Sequence, residues 1–123
     1  MTKEHGRYLL LVEDSRDQRE AMQAALEIEG YHVIAVPGGQ EALDHLRGAD
    51  SPCLILIDLM MPGKNGWQFR AEQLEDPRLA QIPVLAVSGD GRVREKALAL
   101  GIPESFTKPI DWEALLAVVA HHC

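Results

Sequence analysis

The stretch Cys53-Leu54-Ile55-Leu56-Ile57-Asp58 decides the fold. Its continuous apolar run, Cys53 to Ile57, leaves no polar side for solvent. A strand made from it is buried on both faces, as in parallel sheets covered by helices on each side, whereas a half-exposed antiparallel strand would alternate polar and apolar residues. The run ends abruptly at Asp58. A carboxylate there must stay hydrated, start a turn, pair with a cation or bind one, because burying it unpaired is costly.

Working outward, three more apolar runs end in polar residues: Tyr8 to Val12 in Glu13-Asp14, Val84 to Val87 in Ser88, and Phe106-Thr107 in Lys108-Pro109. Ser15 to Glu29 carries Met22, Ala25 and Leu26, with Ala21 and Ile28 beside them, as a helix with one buried face, and Gly30 supplies its stop. Tyr31 to Val36 reads as a strand broken by Pro37-Gly38-Gly39, Gln40 to Arg47 as a helix, and Gly48 to Pro52 as a polar turn. Met61-Pro62-Gly63 and Gly66 form a turn-rich loop before a helix from Trp67 to about Leu74. Ile82 to Val87 is a strand that tolerates Pro83 near its start. A helix from Val93 to Leu100 stops at Gly101, Ser105 to Thr107 is a short strand, and Asp111 caps a last helix to His121 with the apolar face Trp112, Leu115, Leu116 and Val119. Strand and helix alternate five times without a repeat or linker, which predicts an α/β fold, a (βα)5 sandwich with helices on both faces of a parallel sheet.

A chain of 123 residues makes one domain, read as a short tail over 1–6 followed by the domain at 7–123. The formal charge of -7 argues against direct contact with nucleic acid or an anionic membrane. Met1 to Arg7 is polar and no stretch approaches the ~20 apolar residues of a membrane span, so a cytoplasmic location is expected. Cys53, inside a strand, and Cys123, the last residue, are expected to be unrelated thiols. His5, His32, His45, His121 and His122 are expected at the surface, without a chelating pair.

Parallel strands would bring Glu13, Asp14, Asp58, Ser88 and Lys108 to one edge of the sheet, where open α/β sheets bind ligands. Taken alone, each has an ordinary reading: Glu13-Asp14 as a helix-start pair, Asp58 and Ser88 as turn residues, Lys108 as a solvated lysine. Together they make a nucleophile, a hydroxyl, a positive clamp and a set of acids. Crowded carboxylates repel, and a hard cation that accepts oxygen ligands, Mg²⁺, relieves this; no thiolate or imidazole stands nearby for zinc. These are the parts of a phosphoryl-transfer site.

The acidic pair Glu13-Asp14, the stretch Asp58-Leu59-Met60-Met61-Pro62-Gly63-Lys64-Asn65-Gly66, the step Ser88-Gly89 and the pair Lys108-Pro109 resemble, in order and spacing, the receiver domain of two-component response regulators. The resemblance covers nearly the whole chain. It implies a flavodoxin-like fold with strand order 2-1-3-4-5. It also implies Asp58 as phosphoryl acceptor, Glu13 and Asp14 holding Mg²⁺ directly or through water, the Met60 carbonyl as a further ligand, and Lys108 on the phosphoryl oxygens. Ser88 would move to meet the phosphoryl group, the Lys108-Pro109 bond would be cis, and Gly66 would serve the turn behind the acceptor.

Such a domain modifies itself and is not an ordinary enzyme. It would take phosphoryl from a sensor histidine kinase or a histidine phosphotransfer protein and signal to a downstream protein partner, as a monomer or a phosphorylation-dependent dimer. Its output face would be Arg92 to Leu100, Ser105 to Thr107 and Asp111 to His121, and with no effector segment after the last helix, the signal is expected to pass through a separate protein or a dimer unless the chain is a fragment of a longer polypeptide. Four positions depart from the family or tune it. Ser105 stands where an aromatic switch residue is usual, with Phe106 one residue off and expected in the core; Lys64 replaces a commonly apolar residue; Met60 and Asp90 occupy the positions that set phosphoryl lifetime. The alternatives are a receiver-like adaptor or phosphate sink, and an aspartate-nucleophile phosphatase, which would carry an aspartate where Met60 stands.

Overall fold

Side-chain alternation along the strands sorts the core into two layers. The computed structural model describes residues 7–60 and 66–123. Its elements are β1 (Leu9–Val12), α1 (Arg16–Ile28), β2 (Val33–Val36), α2 (Gly39–Gly48), β3 (Leu54–Asp58), α3 (Gly66–Glu75), β4 (Val84–Ser88), α4 (Val93–Ala99), β5 (Glu104–Thr107) and α5 (Trp112–His122). The strands form one parallel sheet in the order β2-β1-β3-β4-β5. Leu10, Val12, Ile55, Ile57, Val84 and Ala86 face α2, α3 and α4, meeting Leu43, Phe69 and Ala97. The alternate residues Leu9, Leu11, Leu54, Leu56, Leu85 and Val87 face α1 and α5, meeting Leu26, Leu115 and Val119. Each fully buried Leu or Ile contributes about 1.5–3 kcal/mol, which is why the central strands are apolar throughout.

Ser15 caps α1 by accepting from the Gln18 N–H, and Asp111 caps α5 through Ala114. Gly30, at φ +97°, ends α1, with its own N–H on the Glu27 carbonyl and the Tyr31 N–H returning to Leu26. Tyr31 is spent on that closure, so β2 begins at Val33 and not at Tyr31. Ile28 does not join the buried face of α1: two residues beyond Leu26 it lies across the helix and is 82% exposed. Asp58 and Ser88 are the last residues of their strands and belong to the ladder, where they had been expected just beyond it.

Two further expectations are corrected. Cys53 and Cys123 are joined in a disulfide, because α5 runs back along the sheet and brings its C-terminal end beside the start of β3, a contact that a separation of 70 residues conceals in the sequence. His45 and His122 are half-buried: His45 Nε2 meets the Tyr8 hydroxyl at 2.9 Å, and His122 Nε2 meets Glu104 Oε1 at 3.1 Å. The stretch 1–6, read as a tail, lies outside the described residues, as do Met61 to Asn65, including Lys64.

Candidate functional site

Strand register brings the polar strand ends to one level. Val12 pairs with Ile57, so Glu13 follows beside Asp58; Asp58 pairs with Val87, one residue before Ser88; and Ser88 pairs with Thr107, one residue before Lys108. Asp58 follows Leu54 and Leu56 in the alternation and so lies on the side of α1 and α5, whereas Ser88 follows Val84 and Ala86 on the side of α4.

Lys108 is the hub. Its Nζ donates to Asp58 Oδ2 at 3.0 Å and to Glu13 Oε1 at 3.0 Å, and also to the Gln18 side-chain oxygen from α1. The other Asp58 oxygen, Oδ1, accepts from the Met60 N–H at 2.8 Å, and Glu13 Oε2 accepts from the Ser15 N–H at 3.1 Å. Glu13 and Asp58 are buried, while Asp14 is exposed at the rim. Carboxylate oxygens of Glu13, Asp14 and Asp58 all lie within 4.8 Å of one another.

At that spacing two buried carboxylates repel by about 3–4 kcal/mol at an effective dielectric constant near 20. Burial pushes the Glu13 carboxyl above its usual range, outweighing the Ser15 and Lys108 hydrogen bonds that favour the charged form, and the nearby Asp58 adds to the rise. Burial also pulls Lys108 down, but its bonds to Asp58 and Glu13 prevail, and the ammonium is held above the ordinary lysine value. The ammonium therefore supplies one compensating charge to two acids. An all-oxygen cluster with one exposed member suits a hard, partly hydrated dication, so the residues present fit Mg²⁺.

Ser88 is fully buried, and its Oγ accepts from the Asp90 N–H at 3.1 Å. The Asp90 carboxylate accepts from the Arg92 N–H at 2.8 Å and pairs with the Lys96 ammonium, which also lies 3.7 Å from the Met60 sulfur. The Lys96 hydrogen bond, with Arg92 behind it, holds Asp90 below the usual carboxylate range. The Lys108–Pro109 peptide is cis. Ser105 and Phe106 are half-buried on the edge strand β5; Phe106 packs with the layer of Leu85 and Val87, and both residues line a cavity of about 290 Å³ with Arg94, Leu98 and Val118.

Glu13, Asp14, Asp58 and Lys108 are thus brought together, Met60 and Ser88 border them, and Ser105 and Phe106 stand one strand away. Sequence reasoning missed Gln18 and Lys96. Gln18 is an exposed residue of α1 and Lys96 a half-buried residue of α4, and no local pattern marks either as reaching the site. Gly66 has a different reason for being small: a Cβ there would stand 3.1 Å from the Leu59 Cα, so the start of α3 can press onto the backbone beside Asp58.

Residues 9–120 match the family model of the response regulator receiver domain. Protein PilH of Pseudomonas aeruginosa is 30% identical over 113 residues, spanning 90% of this chain and 93% of PilH. Several other curated relatives are longer and the chain spans about half of each, 46% in the case of a Streptomyces coelicolor transcriptional regulatory protein, CseB, to which it is 34% identical over 89% of its own length. Among solved structures, a response regulator receiver protein from Pseudomonas putida superposes with a TM-score of 0.85 at 28% identity, covering 94% of this chain and 96% of that one. The Thermotoga maritima response regulator TrrA, solved with Mg²⁺ and BeF, shares the fold with a TM-score of 0.83 at 21% identity, covering 95% and 99%. With an acidic cluster and a lysine at the strand ends of a 2-1-3-4-5 sheet, and a family match from β1 through most of α5, this chain belongs to the response regulator receiver domain family.

Proposed function

We propose that the domain at 7–123 accepts a phosphoryl group on Asp58 from the phosphohistidine of a sensor kinase or phosphotransfer protein, with Mg²⁺ held by Glu13, Asp14, Asp58 and the Met60 carbonyl. The observation that carries this reading is Lys108 bonded at 3.0 Å to both Asp58 and Glu13 beside the third carboxylate, Asp14. When bound, the cation would neutralise phosphoryl oxygens and the repulsion among the acids.

An Asp58 oxygen attacks phosphorus, the P–N bond to the donor imidazole breaks, and the imidazole leaves with the electron pair. The Met60 N–H keeps the carboxylate oriented through Oδ1, and the Lys108 ammonium, already bonded to Asp58 Oδ2, lies where it can donate to the incoming phosphoryl oxygens. Ser88 is one strand away, and its hydroxyl can rotate from the Asp90 N–H to donate to the phosphoryl group. The change at Ser88 and in the segment leading to α4 then alters the face of α4, β5 and α5 that a downstream protein reads. Labelling with a small phosphodonor and Mg²⁺ tests the assignment: wild type is expected to incorporate phosphoryl and Asp58→Asn to fall by at least about 100-fold, while equal labelling overturns it.

Ser105 in place of the switch aromatic, with Phe106 turned toward the α5 layer, favours a second reading, a phosphate sink or constitutive adaptor. Affinity for a captured partner that is unchanged by beryllofluoride would select it.

A further inference from the structure

The end of the sheet opposite Asp58 carries a second reactive pair. Cys53 immediately precedes β3 and Asp58 closes it, so the two stand at opposite ends of one strand. The disulfide partner, Cys123, is the C-cap of α5, with its Cα 5.5 Å from that of Cys53. Both cysteines are half-buried and line a partly open cavity of about 170 Å³ with Arg7, Tyr8, Gly30 and His32. A small thiol or disulfide can therefore approach the sulfurs without the domain unfolding.

The surroundings suit the reduced pair as well as the bond. Cys53 Sγ lies 3.2 Å from the Tyr8 carbonyl oxygen, so a thiol formed by reduction has its acceptor in place. Arg7 Nη1 donates to the Cys123 carbonyl at 3.1 Å, placing a guanidinium in the same cavity as both sulfurs. A neighbouring cation and partial exposure are what make a cysteine reactive, because the thiolate is the attacking species. The last turn of α5 holds to the rest of the domain through the His122–Glu104 contact, the Arg7 hydrogen bond to Cys123 and this bond, with Val119 the nearest buried anchor.

We propose that Cys53 and Cys123 form a reversible thiol–disulfide switch that fastens or releases the end of α5, with small-molecule disulfides as oxidant and small thiols as reductant. In oxidation the Cys123 thiolate attacks one sulfur of the small disulfide and expels one thiolate, giving a mixed disulfide. Cys53, its proton lost to solvent, then attacks the Cys123 sulfur and expels the second. Two protein thiols lose two electrons, and one small disulfide becomes two thiols.

The test uses the whole chain in glutathione buffers graded from oxidised to reduced, acid-quenched, alkylated and weighed by mass spectrometry. The expected result is a single transition from no alkylation to two alkyl groups. It is accompanied by a fall in melting midpoint of about 5–15 °C and by amide exchange at 120–123 that is faster by about tenfold or more on reduction. A pair that stays oxidised in excess reduced glutathione is a fixed staple, and a pair that stays reduced in oxidised glutathione is two separate thiols; either overturns the proposal, as does a switch that leaves exchange at 120–123 unchanged. Asp58→Asn is expected to titrate like wild type, so the outcome is separable from that of the phosphoryl reading.

Discussion

The Lys108 ammonium stands 3.0 Å from Asp58 Oδ2 across 50 residues of chain, and it meets Glu13 at the same distance. One positive charge thus serves two buried acids, and a cation bound there as proposed would compete with the lysine for the same oxygens. Several consequences can be measured.

Lys108→Met leaves Glu13 and Asp58 without their shared partner. Metal-free stability at neutral pH is expected to drop by about 2–4 kcal/mol, measured by urea unfolding, while Mg²⁺ binding by calorimetry tightens because its competitor is gone. Burial already holds Glu13 above the usual carboxylate range, so the native state takes up that proton before the unfolded chain does. Stability tied to Glu13 is therefore gained as pH falls through its raised value, and the gap between variant and wild type narrows there.

Mg²⁺ held by the folded cluster, as proposed, and not by the unfolded chain is expected to raise stability. For a dissociation constant of about 1 mM, 10 mM Mg²⁺ adds about 1.4 kcal/mol, a rise in melting midpoint of roughly 4–6 °C. Asp14→Asn removes the exposed acid of the cluster and is expected to shrink that rise while leaving the metal-free midpoint near that of wild type. A full Mg²⁺ response in the variant would remove Asp14 from the site.

Asp90 is held below the usual aspartate range first by Lys96 and then by the Arg92 N–H. A depressed acid contributes stability above its unfolded value and loses it as pH falls through the lower folded value. Carboxyl NMR is expected to place the Asp90 midpoint below that of an ordinary aspartate, and Lys96→Met to move it back toward the ordinary value. If the midpoint does not move, Lys96 is not its main partner.

Gly66→Ala puts a methyl 3.1 Å from the Leu59 Cα. Leu59 is buried and carries its N–H to the Val87 carbonyl at 3.1 Å, so the backbone there has little room to give. A loss of about 1–3 kcal/mol is expected, measured by chemical denaturation, and it should come with weaker phosphoryl labelling, because Leu59 adjoins Asp58.

Much of the fold was readable because its signals are local. The apolar run of Cys53 to Ile57 announced a strand covered on both faces, Gly30 a helix end, and Ser15 and Asp111 helix starts, each through interactions spanning only a few residues. Boundaries slipped where neighbours compete: Tyr31 closes α1 and does not begin β2, and Ile28 has an apolar side chain on the wet side of its helix. The acidic pair, Asp58, Ser88 and Lys108 were legible as candidates because parallel strands must place their C-terminal ends together.

Periodicity and chain order were enough for the alternation of strand and helix, the two-layer core and the set of polar residues at the strand ends. That Lys108 bridges Asp58 and Glu13, that Gln18 and Lys96 reach in from helices, and that Cys53 meets Cys123 emerges only from the packed fold. Those pairings depend on how far each helix is rotated and set back over the sheet. That placement is the joint result of many small packing contacts, none of which is written in any short stretch of the chain.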